Sequence, residues 1–162
     1  MDTELLDTLE QQHRDVETLF AKLEKAEDAR EQQPLVDELA GLLAEHMQIE
    51  EMQVYPELTR LDEEMGEEAT IEHDLARTGL RQLEQMVGKP GFGAAVAMLQ
   101  AGIEHHVEEE EQEAFPKLRK ALSGPFDLRD ATRDELYEEA KKQGVEGRST
   151  MSKDELAAAV KA

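Results

Sequence analysis

Cysteine is absent from this chain of 162 residues, and basic residues are scarce. The absence of cysteine excludes disulfides, thiolate zinc sites, iron–sulfur clusters and a cysteine nucleophile, so any chemistry must use nitrogen and oxygen atoms. The 18 Lys and Arg residues are outnumbered by 39 Asp and Glu residues, which gives a formal net charge of -21. Because nucleic acids and anionic membranes attract positive charge, this balance predicts no strong nucleic-acid binding and no membrane partner.

Long apolar runs and a basic leader are also missing. The chain starts with an acidic stretch, whereas a secretory or transit peptide is basic at its start. The longest nearly apolar run, Gly91–Leu99, has about half the length of a membrane span. Hydrophobic residues nevertheless make up 39 % of the chain, which is enough for a packed core. We therefore expect a cytoplasmic protein with a folded core.

Turn-forming residues are few, and they divide residues 1–122 into four segments with helical periodicity. Breaks fall at residues 28–33, near 62–64 and at 88–93, and the turn at 123–125 closes this part of the chain. Four such helices with short connections predict an all-α domain, an up-down-up-down four-helix bundle. The apolar stripes contain Leu6, Leu9, Val16, Phe20 and Leu23; Leu39, Leu42, Leu43, Val54 and Leu58; Leu80, Leu83 and Val87; and Ala95, Leu99, Ile103 and Leu118.

Three prolines bear on where these helices begin and end. Pro34 is expected in the first turn of the second helix, where a missing backbone N–H is tolerated. Pro56 and Pro116 lie inside helical patterns, and each removes one backbone donor. We expect each of these two prolines to kink its helix or to end the regular part just before it.

Residues 123–162 form a second part with a different charge balance. Its 7 Lys and Arg and 9 Asp and Glu residues leave a net charge of only -2. Thr132 and Ser152 each begin a capping box, because a Glu follows three residues later. We predict a linker and a small helix-extended-helix module there, with too little apolar surface for much independent stability.

The histidines of the first part follow a repeat of sixty residues. At this offset, residues 46–58 align with 106–118, and five of the thirteen positions are identical. The part therefore consists of a duplicated helix pair, in which each copy supplies one histidine from its first helix and a His-x-x-x-Glu from its second. The matched residues are His13 and His73, His46 and His106, Glu50 and Glu110, and Tyr55 and Phe115.

The spacing of these side chains indicates a metal site. Residues four apart share one helical face, so a histidine and a glutamate in His-x-x-x-Glu point in the same direction. The neighbouring apolar stripes place that direction inside the bundle, where an unpartnered carboxylate costs several kcal/mol. Bound cations would offset this cost. Four imidazoles and two carboxylates suit Fe, Mn or Zn better than Mg or Ca, and the duplication suggests two ions bridged by the carboxylates. The candidate ligands are His13, His46, Glu50, His73, His106 and Glu110.

Other interpretations apply to single residues in this set. A lone histidine on a core stripe is more often a hydrogen-bonded core residue than a ligand, and one His-x-x-x-Glu in so acidic a chain carries little weight. The repeat is what favours metal binding. His105 lies about 100° around the helix from His106, so we expect it at the surface or behind the ligands. Glu17 follows His13 by one turn and remains an alternative extra carboxylate, although the second copy has no equivalent.

These motifs resemble those of the hemerythrin-like, or HHE cation-binding, family over about residues 1–122. The likeness rests on His13, on His46-x-x-x-Glu50-Glu51 with Tyr55-Pro56, on Glu72-His73, and on His106-x-x-x-Glu110-Glu111 with Phe115-Pro116. The resemblance implies a four-helix bundle with a non-haem di-iron centre that meets O₂ or related oxidants. It implies that His13 and His46 bind one iron, that His73 and His106 bind the other, and that Glu50 and Glu110 bridge them.

One departure from the family pattern bears on function. Oxygen-carrying hemerythrins have a further histidine one turn after the ligand of the third helix, and Arg77 stands at that position here. Arginine does not ligate metals, so more room is left for water, peroxide or nitric oxide. This favours sensing or consumption of such ligands over reversible O₂ carriage.

The tail, residues 127–162, resembles the small helical module at the start of the transcription terminator Rho. Its near-neutral charge favours docking of a protein partner over strong nucleic-acid binding. Three functions therefore remain at the level of sequence. The first is a di-iron protein that binds or reacts with O₂, peroxide or nitric oxide, with weak oxidoreductase activity as one form of it. The others are a non-catalytic iron-binding or storage module that signals through its tail, and an adaptor led by the tail.

Overall fold

Helices account for most of the computed structural model, which describes residues 3–122 and 132–160. The chain divides into two compact units, Met1–Arg119 and Lys120–Ala162. No strand occurs among the described residues, so the predicted all-α class is confirmed. The helices that carry the first unit are α1 (Thr3–Leu23), α2 (Ala29–Ile49), α3 (Tyr55–Leu61), α4 (Glu63–Met86), α5 (Phe92–Glu109) and α6 (Phe115–Leu122).

The four long helices of the first unit surround a common apolar core. Helix α1 contacts α2 and α5, and helix α4 contacts the same two helices, so the four form a closed ring. Burial of large aliphatic and aromatic side chains, at about 1.5–3 kcal/mol each, stabilises this arrangement. The up-down-up-down direction of the helices stays a prediction. The buried core contains Val16, Leu19, Phe20, Leu23, Val36, Leu39, Leu43, Met47, Leu80, Leu83, Phe92, Val96, Leu99 and Ile103.

The start of α2 differs from the prediction. Helix α2 begins at Ala29, so Pro34 lies in its second turn and the expected position in the first turn is wrong. Asp28 causes the earlier start, because its carboxylate accepts hydrogen bonds from the backbone N–H groups of Arg30 (2.8 Å) and Glu31 (3.3 Å). Pro34 leaves the carbonyl of Arg30 without its helical donor, and the rest of the helix continues past it.

The two prolines inside the helical patterns act as predicted. Two π-helical segments, Glu50–Val54 and Glu110–Ala114, end the regular parts of α2 and α5, and Pro56 and Pro116 lie in the first turns of α3 and α6. In each segment the N–H of the residue before proline, Tyr55 or Phe115, donates to the carbonyl five residues earlier. One π-helical turn thus begins at Glu50 and the other at Glu110. Such segments are frequent at functional sites.

The second unit contains two short helices, α7 (Arg133–Lys142) and α8 (Lys153–Ala159), with a 3₁₀ turn at Arg148–Thr150. The capping box at Ser152 is confirmed, since its hydroxyl accepts from the N–H of Glu155 and the carboxylate of Glu155 accepts from the N–H of Ser152. The predicted box at Thr132 depends on the side chain of Glu135, which lies outside the described residues. A small core of Leu136, Ala140, Leu156 and Val160 holds the unit together.

Among the described residues, no helix is both long and apolar enough to cross a membrane.

Candidate metal centre

The six side chains that the sequence singled out lie together inside the first unit. Helices α1, α2, α4 and α5 each contribute one histidine, and the two π-helical segments each contribute their first residue. The Nε2 atoms of His13 and His46 are 3.2 Å apart, and those of His73 and His106 are 3.1 Å apart. The exposed fractions are 1 % for His13, 3 % for His46, 0 % for Glu50, 1 % for His73, 7 % for His106 and 2 % for Glu110.

Each buried carboxylate lies between the two histidine pairs. Glu50 Oε2 is 3.2 Å from His46 Nε2 and 3.2 Å from His73 Nε2. Glu110 Oε2 is 3.4 Å from His13 Nε2 and 3.6 Å from His106 Nε2. Each carboxylate therefore contacts one histidine of each pair.

The donor atoms form two groups, each compact enough for one cation. His13, His46, Glu50 and Glu110 offer atoms within 4.8 Å of one another, as do Glu50, His73 and His106. Glu50 belongs to both groups. Its two carboxylate oxygens, and Oε2 of Glu110, accept no hydrogen bond from any described residue. Fully buried carboxylate oxygens are costly without a partner, so this donor set fits bound cations.

The outer nitrogen of each histidine has its own hydrogen-bond acceptor, a role that the sequence analysis did not assign. An acceptor on Nδ1 fixes the ring and leaves the lone pair of Nε2 directed inward, as is usual for metal-bound imidazole. All four acceptors are sequence neighbours of the predicted ligands, which is the signal that could have found them. The pairs are His13 with Glu111 (2.8 Å), His46 with Gln12 (2.9 Å), His73 with Glu51 (3.0 Å) and His106 with Glu72 (2.7 Å).

Two arginines hold the outer glutamates. Arg14 pairs with Glu111, and Arg77 Nη2 donates to Glu51 Oε1 at 2.6 Å. Arg77 and hydrogen bonds from His73 lower the pKa of Glu51, although its partial burial opposes the shift. Arg77, which stands where the oxygen carriers have a histidine, therefore supports the acceptor of His73 from outside.

The two open alternatives lie outside the buried group. The side chain of Glu17 is 51 % exposed and pairs with Arg14 at the surface. The side chain of His105 is 61 % exposed, and its Nε2 is 3.4 Å from Glu109 Oε1. The surface position expected for His105 is confirmed, and Glu17 does not reach the buried carboxylates.

Tyr55 makes the two halves of the site different. Its hydroxyl lies 2.8 Å from His73 Nε2 and donates to Glu110 Oε1 at 3.1 Å. The matching residue Phe115 has no hydroxyl, and its ring stacks on His13 with a centroid distance of 5.9 Å. The repeat matches these two residues in kind, and only their side-chain contacts distinguish them. The hydroxyl therefore gives the His73 half of the site a hydrogen-bond donor that the His13 half lacks.

Burial controls the protonation of these side chains. Burial and the neighbouring His13 lower the pKa of His46 to about 3, and burial and His106 lower the pKa of His73. Burial and the charge of Glu110 raise the pKa of Glu50 well above its usual range. Burial and the same carboxylate raise the pKa of Tyr55, so its hydroxyl keeps its proton. The histidines of α2 and α4 are thus neutral and ready to bind a cation at pH 7.

The raised pKa of Glu50 leads to a prediction for the metal-free protein. A carboxyl group whose pKa is raised on folding favours the fold below its usual pKa near 4.5, and this contribution is lost as the pH rises. Metal-free Glu50→Gln should therefore be more stable than the metal-free parent at pH 7, by about 1–3 kcal/mol. The difference should shrink as the pH approaches 4.5, as measured by urea unfolding at several pH values. A less stable variant at pH 7 would show that Glu50 serves the fold rather than a cation.

Two apolar spaces adjoin the site. A cavity of about 20 Å³ is bordered by the four histidines together with Ala76 and Ile103. A groove of about 540 Å³ between α4 and α5 shares Ala76, Ile103 and His106 with that cavity and opens to solvent beside Leu75 and Met98. Ala76, Ile103 and His106 thus form the wall that the groove and the cavity share.

Comparisons with known proteins agree with this geometry. Residues 4–118 match the hemerythrin HHE cation-binding domain. The chain is 28 % identical over 126 residues to an uncharacterised hemerythrin-like protein of Schizosaccharomyces pombe. The alignment covers 75 % of this chain and 62 % of the relative, so the chain spans less than two thirds of that protein. No solved structure matches the chain.

Proposed function

Since the chain belongs to the hemerythrin HHE cation-binding family, we propose that its first 122 residues hold two iron ions that meet O₂, peroxide or nitric oxide. The observation that carries this proposal is the position of Glu50. Its buried, unpartnered carboxylate lies 3.2 Å from a histidine of each pair. A single ion would leave one of the two histidine pairs without a role.

The proposed ligand assignment is the one that the family resemblance implies, and the short distances between the paired histidines support it. His13 and His46 would hold one ion, His73 and His106 would hold the other, and Glu50 and Glu110 would bridge them. Iron is proposed from the family resemblance, and Mn and Zn are the alternatives that the same nitrogen and oxygen donors accept. When bound, a redox-active pair of this kind supplies electrons to a small oxidant or a binding position for nitric oxide.

The chain itself determines what reaches the ions. With Arg77 directed to Glu51, the His73 half has no further imidazole, which leaves room for an external ligand. The apolar cavity beside the histidines favours small uncharged molecules, because a charged one would lose its hydration there. The Tyr55 hydroxyl donates its hydrogen bond to Glu110 Oε1 and so orients this carboxylate on the His73 side.

The optical spectrum of the iron-loaded protein tests this function. We expect visible absorption that changes when nitric oxide or peroxide is added, since these ligands would bind directly to the ions. His105→Ala should give the same change, because His105 lies at the surface. An iron-loaded protein whose spectrum does not respond to O₂, peroxide or nitric oxide would contradict the proposed ligand class.

A second candidate is a metal-binding or storage module that signals through its tail. The division into two compact units, the second with its own core, favours this alternative. The partner of the tail would be a protein, and the likeness to the Rho module remains part of this proposal.

Truncation after Leu122 tests whether the tail takes part in the chemistry of the centre. The truncated protein should keep its metal content and its response to nitric oxide, because every proposed ligand precedes the cut. Metal analysis and spectra of the truncated and full-length proteins provide the measurement. If the truncated protein binds metal but no longer responds as the full-length protein does, the tail takes part in the chemistry, and the first proposal would need revision.

A further inference from the structure

A second cluster of metal-binding side chains lies at the surface, behind His106. His105 Nε2 is 3.4 Å from Glu109 Oε1 and 3.7 Å from Glu72 Oε1. One ligand atom from each of these three side chains lies within 4.8 Å of the others. One imidazole and two carboxylates form a donor set for first-row divalent cations such as Mn²⁺, Fe²⁺ and Zn²⁺.

The first helix pair does not repeat this cluster. Sixty residues before Glu72, His105 and Glu109 stand Gln12, Glu45 and Ile49. Only one of those three side chains ionises, and none is an imidazole. The cluster is therefore a feature of one half of the duplicated unit, and it is not explained by the internal repeat.

A cleft connects this surface with the buried centre. The cleft, of about 60 Å³, is bordered by Glu72 and Glu109 together with the exposed Glu68 and Glu113, and it also reaches His106 and Glu110. Glu110 is 2 % exposed, and its Oε2 accepts no hydrogen bond from any described residue. The cleft thus borders both solvent-exposed carboxylates and the buried residues His106 and Glu110, and Oε2 of Glu110 lies 3.4 Å from His13 Nε2.

Glu72 links the two clusters directly. Its Oε2 accepts the hydrogen bond from His106 Nδ1 at 2.7 Å, while its Oε1 faces His105. The negative carboxylates along the cleft raise the local concentration of cations and speed their capture. A cation held at the surface by Glu72 therefore lies one side chain away from a proposed ligand of the centre.

We propose that Glu72, His105 and Glu109 form an acquisition site for a divalent cation, which supplies the buried centre through this cleft. The supply role rests on the proposed two-metal centre, whereas the surface site does not depend on it. Two measurements keep these statements separate.

The first measurement is a titration of the metal-loaded, full-length protein with Mn²⁺, in which free Mn²⁺ is followed by its paramagnetic resonance signal. We expect the parent to take up one more Mn²⁺ per chain, and His105→Ala and Glu109→Gln to lose this uptake. The matched controls Glu45→Ala and Glu108→Gln change exposed residues outside the cluster and should bind like the parent. Equal uptake by His105→Ala and the parent would overturn the surface site.

The second measurement is the rate at which metal-free protein fills its interior sites after mixing with Fe²⁺. His105→Ala should fill them about tenfold more slowly than the parent and reach the same final content, which also shows that the variant is folded. Equal rates would overturn the supply role. A parent that never holds interior metal would instead contradict the proposed function, and the Mn²⁺ titration would still decide the surface site.

Discussion

Replacement of either bridging carboxylate, Glu50→Ala or Glu110→Ala, is expected to remove both metal ions rather than half of the metal. The Oε2 atom of each carboxylate lies within 3.6 Å of one histidine from each pair. Loss of one carboxylate thus takes a ligand from both ions and leaves two dications close together with less negative charge between them. The metal content per chain after desalting should fall from two to near zero.

The control for this experiment is Glu45→Ala, which removes an exposed carboxylate from the same helix as His46. It should retain two ions per chain, and His105→Ala should retain them as well after weakly bound metal is removed. A content of one ion per chain in Glu50→Ala or Glu110→Ala would show that the two positions fill independently, and the bridging roles would then be wrong.

Metal-loaded protein should unfold at a markedly higher temperature than metal-free protein at pH 7. A ligand that binds only the folded state, at a concentration 1,000 times its Kd, stabilises by about 4 kcal/mol. For a chain of this size, this corresponds to an increase in Tm of roughly 8–16 °C. The increase should vanish as the pH falls below about 5, because protons then compete with the ions for the imidazoles.

The metal-free protein should also lose stability in acid, but gradually. The pKa of His46 is lowered to about 3 and that of His73 is lowered too, so between about pH 6.5 and 3 the unfolded chain binds protons that the folded chain excludes. These two histidines therefore add stability as the pH rises through this window, whereas the raised pKa of Glu50 acts against them above about pH 4.5. His106 acts in the opposite direction to these two histidines. Burial lowers the pKa of His106, but Glu110 and Glu72 raise it above its usual value. The stability that His106 contributes is therefore lost as the pH rises.

Melting curves from pH 4 to 8, with iron and with a chelator, provide the measurement. The loaded protein should show a steep loss of Tm near the pH at which metal is released, and the chelated protein should show only the shallow trend. Curves that coincide at pH 7 would show that metal contributes nothing to folding.

The helices and the buried histidines were predictable because the same pattern of residues occurs twice, at an offset of sixty residues. The stripes of leucine gave the helical faces, and the offset of sixty residues separated His106 from the adjacent His105. The two prolines marked the ends of regular helix, although the π-helical form of those ends depends on how the buried glutamates pack. Burial of His13 and Glu50 follows from their places in the stripes.

Other features depend on contacts between distant parts of the chain. The start of α2 was missed because Asp28 looks like one polar residue among several, and only its carboxylate's contact with two backbone N–H groups makes it a cap. Arg14 and Arg77 occupy different positions in the two copies, yet each holds a glutamate behind a histidine. The contact of Tyr55 with Glu110 crosses from one copy to the other, so the repeat alone could not reveal it.

Anomalous diffraction at the iron absorption edge, from crystals of the iron-loaded protein, tests the central claim most directly. Two strong peaks are predicted inside the bundle, one beside Nε2 of His13 and His46 and one beside Nε2 of His73 and His106, with the carboxylate of Glu50 between them. A single interior peak, or strong iron peaks at the surface alone, would contradict a carboxylate-bridged pair of ions in this protein.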